Sequence, residues 1–166
     1  MPSFDNGAVE IAYLDEGEGD PILLVHGFAS TKNVNWVYPT WVSELRKNGR
    51  RVIALDNRGH GESAKLYDPA EYSIPIMASD VVALMDHLSI PRADIMGYSL
   101  GARMTAWLGL TKPERLRSAI LGGIGMAMVG MEYCAGSYSL AESPWPRLSS
   151  AITRRPLLRN SETQVG

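Results

Sequence analysis

In Ala93-Asp94-Ile95-Met96-Gly97-Tyr98-Ser99-Leu100-Gly101-Ala102-Arg103-Met104-Thr105-Ala106 a short apolar run stops at a glycine, and a helical pattern starts two residues later. The run 93–96 has the length and content of a buried strand. Residues 99–111 form the helical pattern, which closes before Lys112-Pro113 because proline cannot continue it. Between them lies Gly97-Tyr98-Ser99-Leu100-Gly101, a G-x-S-x-G run. On a strand-to-helix turn such a run holds the serine on a sharp corner above the C-terminal edge of a sheet.

Outward from this point the same alternation repeats. Pro21–Val25 is a continuous apolar run ending at His26-Gly27, and Arg51–Leu55 ends at Asp56. Residues 8–15 have partial strand character, and Leu116–Gly122 is a further apolar run. Residues 39–48 set Trp41, Val42 and Leu45 on one helical side, with Gly49 as the stop; 75–88 place Ile76, Val81, Leu84, Met85 and Leu88 at helical spacing. Strands without polar alternation, separated by helices, are expected for an α/β fold: a mostly parallel sheet with helices on both faces.

Composition sets the outer bounds. The chain has 166 residues, enough for one domain, with 45% hydrophobic and 20% charged residues. A net charge of -2 offers no electrostatic reason for nucleic acid or an anionic membrane as partner. The single cysteine, Cys134, excludes an internal disulfide and a cysteine-cluster metal site. Met1–Glu10 lacks the basic-then-apolar plan of a secretory signal, and the run 118–131 is too short to span a bilayer, so a cytoplasmic setting is expected. Residues 131–166 change in character, with six serines, four arginines, three prolines and no aspartate, lysine or histidine. The expected division is a domain over 1–130 and an irregular segment over 131–166, read as a cap segment, a disordered tail or out-of-frame sequence. An uninterrupted frame with its natural stop at this point would exclude the last.

Three segments fall at C-terminal ends of expected strands: His26-Gly27-Phe28, Asp56-Asn57-Arg58-Gly59-His60-Gly61-Glu62-Ser63, and the run 97–101. In open α/β sheets sites lie at that edge. In this order the three motifs resemble the α/β-hydrolase superfamily, in its serine esterase and lipase-like branch, over residues 8 to about 125. The resemblance implies that Ser99 is the nucleophile, with Gly97 and Gly101 permitting the tight turn and Gly101, Ala102 and Ala106 letting the helix approach the sheet. It implies an oxyanion hole formed by the backbone N–H groups of Phe28 and Leu100. The competing reading of Ser99 is a plain helix N-cap.

His26 is expected to shape its loop rather than act as a base, and His60 to belong to a scaffolding motif. Asp56 and Arg58 are expected to tie neighbouring loops, and Gly59 and Gly61 to permit the turn. His87, Asp80 and Asp86 read as the solvated face of a helix, and Arg103 as a surface residue. No metal-ligand spacing is seen and no cofactor is implied.

The chemistry the resemblance implies is incomplete in these residues. In that architecture the acid and then the histidine follow the serine, yet His26, His60 and His87 all precede Ser99, and only Glu114, Glu132, Glu142 and Glu162 follow as acids. Glu114 is expected at the opposite edge of the sheet from Ser99. The expectation is a serine hydrolase for small carboxylic esters or related acyl compounds, impaired here for want of acid and histidine. The alternatives are a non-catalytic remnant or binding protein, and a half-domain completed by another chain. Members with an aspartate nucleophile, such as epoxide hydrolases, are disfavoured by serine at position 99. The strand at 118–122, if an uncovered edge, is a self-association site.

Overall fold

The computed structural model describes residues 2–125. Six strands form one sheet: β1 (Ser3–Asn6), β2 (Val9–Glu16), β3 (Asp20–Val25), β4 (Arg50–Leu55), β5 (Ala93–Tyr98) and β6 (Leu116–Gly122). Their order across the sheet is β1-β2-β4-β3-β5-β6. β4, β3, β5 and β6 run parallel, as the unbroken apolar runs require, while β1 and β2 join antiparallel. β1 was not anticipated from sequence. It is four residues of mixed polarity, and only Phe4 is buried.

Three helices cover the sheet: α1 (Trp41–Lys47), α2 (Ile74–His87) and α3 (Leu100–Thr111). Alternate residues of the central strands serve opposite faces. Leu23, Val25, Ile53 and Leu55 pack with Met77, Val81, Leu84 and Met85 of α2 and Met104 and Leu108 of α3. Ile22, Leu24, Val52 and Ala54 pack with Val42 of α1 and with Trp36. Each fully buried aliphatic side chain of this kind stabilises by about 1.5–3 kcal/mol relative to exposure. Trp41 departs from its expected place. It opens α1 and stays 45% exposed, because Trp36, on a single π-helical turn at Asn33–Val37, already fills that face.

The starts of four strands are tied together at the N-terminal edge. Asp94 of β5 accepts from Arg117 and Ser118 of β6 and from Arg50 of β4, and Arg117 also meets Asp20 of β3. The Arg117 guanidinium holds the Asp94 carboxyl well below the usual carboxylate range. No helix among the described residues is long and apolar enough to cross a membrane.

Asp80 overturns a sequence expectation. It is not on a solvated face: it is 1% exposed, and both its oxygens accept from Arg58, at 2.7 Å each. Asp86, by contrast, is exposed and pairs with Arg115. His87 is exposed, yet its ring stacks on Phe4 at 5.1 Å.

Candidate active site

The corner between β5 and α3 is built by close backbone approach. A Cβ on Gly101 would collide with the carbonyls of Val25 and His26, and one on Gly97 with the carbonyl of Gly101. Both positions therefore exclude side chains. Ser99 sits at the apex with φ 50° and ψ -108°, a conformation that costs an L-residue about 1–3 kcal/mol. Its N–H donates to the Gly122 carbonyl at 2.9 Å, so the end of β6 pins the corner. The Ser99 side chain makes no capping bond to α3, which removes the N-cap reading.

Two loops flank the corner, and each histidine belongs to one and braces the other. His26 Nδ1 lies 2.7 Å from the Gly27 carbonyl, and its Nε2 accepts from the Asn57 N–H at 3.0 Å. His60 Nδ1 lies 2.9 Å from the Arg58 carbonyl, and its Nε2 accepts from the Ala29 N–H at 3.2 Å. The partners set the same tautomer in both rings, with the proton on Nδ1. Burial pushes the His26 imidazole down to about 4, against a smaller opposing effect of the Gly27 carbonyl. With both nitrogens engaged, neither ring is free to take a proton from Ser99. His26 thus braces the Asn57 amide and His60 the Ala29 amide.

The H-G-F loop is held at three of its amides between Gly27 and Lys32. Gly27 N–H donates to Asn35 Oδ1 at 2.9 Å, Ala29 N–H to His60, and Lys32 N–H to Asp56 Oδ1 at 2.7 Å. Among the described residues the Phe28 N–H has no partner. Leu100, first residue of α3, likewise has no intrahelical acceptor for its N–H. The Phe28 ring stands 75% exposed, edge-on to His60 at 5.9 Å, and Tyr98, whose ring lies against Gly27 and Gly123, is 47% exposed.

Sequence reasoning missed the hub beneath these loops. Lys32 is fully buried, and its ammonium donates to Asp56 at 2.6 Å and Glu62 at 2.7 Å. Burial alone would raise the Asp56 carboxyl, but the amides of Glu62 and Lys32 and the Lys32 ammonium outweigh it and hold it below its usual value. Asp56 ties its loop to Lys32, and Arg58 bonds Asp80 and Glu71. A lysine in a polar loop carries no sequence mark of burial, and nothing in the sequence pairs it with an acid 24 residues on. Asn35 is equally silent.

Glu114 lies in the turn before β6, at the end of the sheet opposite Ser99, where the sequence reading puts it. Glu132, Glu142, Glu162 and Cys134 fall outside the described residues. No group of three or more His, Cys, Asp or Glu among the described residues could hold a metal ion.

A parallel sheet with a serine on a strained strand-to-helix corner, beside two Gly-rich strand-end loops, defines the architecture of an α/β hydrolase. Residues 20–147 match the family model of the alpha/beta hydrolase fold, and the chain belongs to that family. It is 38% identical over 128 residues to the dihydrolipoyllysine-residue acetyltransferase component of the acetoin cleaving system of Pseudomonas putida, covering 74% of this chain and 32% of that protein. Among solved structures, Est816, an N-acyl homoserine lactone degrading enzyme, is 36% identical with TM-score 0.64, covering 71% of this chain and 43% of that one. The epoxide hydrolase VrEH1 of Vigna radiata has TM-score 0.67 at 25% identity, covering 71% and 36%. The chain therefore spans well under two thirds of the length of these relatives.

Proposed function

We propose that Ser99 is the nucleophile of a serine hydrolase acting on small carboxylic esters or related acyl compounds. The observation that carries this is the strained Ser99 whose side chain makes no capping bond, beside two N–H groups, of Phe28 and Leu100, that have no partner among the described residues. Strain of this kind persists only where the surroundings enforce it. In the proposed step Ser99 Oγ bonds to the acyl carbon, its proton passes to a base, and the carbonyl oxygen becomes an oxyanion between the two amides. The alcohol then leaves with a proton, and water releases the acid and regenerates Ser99. The name of Est816 concerns a lactone, whose cyclic ester suits the same chemistry. Serine at 99 supports acyl transfer over the aspartate-based route that the sequence reading set aside.

The base is the missing part. His26 and His60 are engaged at both ring nitrogens, and no histidine follows Ser99 in the 166 residues. Such a serine retains only the residual catalysis of oxyanion hole and binding, about 10³–10⁴ over water. Incubation with a fluorophosphonate probe and a p-nitrophenyl ester tests this. Slow labelling and slow turnover, both lost in Ser99→Ala, are expected. Labelling that survives Ser99→Ala, or none in the parent chain, refutes the nucleophile reading and favours a non-catalytic remnant or binding protein.

A second reading has its own observation. β6 is an edge strand among the described residues, and its Ile120 is 45% exposed. Such an edge suits pairing with another chain, either a second copy or a completing half. Size-exclusion chromatography showing a cooperatively folding monomer would defeat it.

A further inference from the structure

Ala29 follows Phe28 directly and holds φ 52°, a left-handed conformation that an alanine does not choose. The only bond its N–H makes among the described residues is to His60 Nε2, at 3.2 Å from the opposite loop. His60 is itself fixed by the Arg58 carbonyl at Nδ1 and by the His26 ring, whose centroid lies 5.3 Å away. A strained residue is thus retained by one acceptor, and that acceptor is a titratable nitrogen on a half-buried ring.

We propose that His60 is a positioning residue for the backbone just after the Phe28 amide: its neutral ring holds the Ala29 N–H through Nε2, and protonation at that nitrogen frees the Phe28–Ala29 peptide of the H-G-F loop. The inference rests on the reading of the Phe28 N–H as an oxyanion donor. The balance is simple. A proton from solvent occupies the Nε2 lone pair, two N–H groups then face each other, and the Ala29 amide loses its acceptor. Ala29 relaxes from its left-handed conformation and turns the peptide it shares with Phe28; the Phe28 N–H lies on the preceding peptide, whose Gly27 carbonyl stays against His26 Nδ1, and shifts only as the Phe28 backbone follows.

The titratable groups on the elements around His60 do not supply a substitute acceptor. Asp56 and Glu62 are both committed to Lys32. The Arg58 guanidinium is turned to Asp80 and Glu71, and the Tyr72 hydroxyl bonds the backbone of Leu66. His26 stays neutral to about 4, so in weak acid its bond from the Asn57 N–H remains. A proton on His60 Nε2 would therefore open one half of the cross-brace while the other holds.

The test is a pH titration of the ¹⁵N-labelled 166-residue chain by NMR from pH 8 to pH 5. Long-range histidine spectra report which ring nitrogen carries the proton, and backbone spectra follow Phe28, Ala29 and Asn57. At pH 8 His60 is expected to be protonated at Nδ1 only. As it takes up a second proton, the Phe28 and Ala29 resonances shift with the same midpoint, and the protection of the Ala29 amide, its exchange measured against the intrinsic rate at each pH, falls about tenfold. Asn57 stays unmoved. In His60→Gln, whose uncharged amide oxygen accepts without titrating, the Phe28 and Ala29 shifts become independent of pH. A proton on His60 Nε2 at pH 8, or Phe28 and Ala29 resonances that ignore His60, overturns the proposal while leaving Ser99 labelling as an independent matter. Loop resonances that follow His60 in a chain whose Ser99 never labels uphold the latch and reject the nucleophile.

Discussion

Replacing Ser99 with glycine should make the chain more stable. The serine occupies φ 50° and ψ -108°, where a Cβ is crowded, and its side chain makes no capping bond to α3. Removing the side chain relieves about 1–3 kcal/mol of backbone strain and sacrifices no capping bond. Against this, glycine gives the unfolded chain extra freedom worth about 0.4–1 kcal/mol. The net is a gain of about 1 kcal/mol, or about 2–4 °C in Tm for a chain of this size. Ser99→Ala is the control. It also removes the hydroxyl but keeps the Cβ, so its stability should stay within about 0.5 kcal/mol of the parent. Urea denaturation and thermal melts followed by circular dichroism read the difference. A Ser99→Gly chain no more stable than Ser99→Ala would refute the claim that the corner stores strain at this residue.

The buried Arg58–Asp80 pair should separate sharply from the exposed Arg115–Asp86 pair. Asp80→Ala leaves a buried guanidinium with only Glu71 and is expected to cost about 3–5 kcal/mol, whereas Asp86→Ala costs about 0–1 kcal/mol; urea midpoints decide. Stability should also fall in mild acid because of His26. Its folded value is lowered from 6.5 to about 4, so between those values the unfolded chain binds the extra proton. Its contribution is fully present above about 6.5 and fades as pH falls towards 4, by on the order of 3 kcal/mol in all. Denaturation at pH 7 and pH 5 should show the loss in the parent chain, and a slope equally steep in His26→Gln would exclude His26 as its source.

The central strands were legible because their residues face apolar neighbours on both sides, which erases alternation at Ile22–Val25 and Val52–Leu55. The corner at Ser99 was legible because G-x-S-x-G is a contiguous run whose two glycines mark close backbone approach, of Gly97 to Gly101 and of Gly101 to the end of β3. What could not be read depends on distant partners. Asp80 resembles Asp86 on the same helix, and only Arg58, 22 residues away, separates a buried ion pair from a solvated carboxylate. Lys32 and Asn35 sit in a polar loop and acquire meaning from Asp56 and from the Gly27 amide. Trp41 looked apolar enough to be buried, but Trp36 had taken the space. For the roles of His26 and His60, motif order pointed towards structure, and the hydrogen bonds at all four ring nitrogens supply the physical cause.

The strand order has a consequence for how the chain is made. β3 pairs with β4 on one side and with β5 on the other, Ile22 meeting Val52 and Asp94. During synthesis the β4 edge is available first, and β5 emerges roughly 40 residues later, which at about 5–20 residues per second is a wait of about 2–8 s. For that interval the central strand, whose Leu23, Leu24 and Val25 end fully buried, presents one open edge on a nascent chain. Wrong pairing of that apolar edge is therefore a hazard confined to a window that closes before Ser99 has left the ribosome.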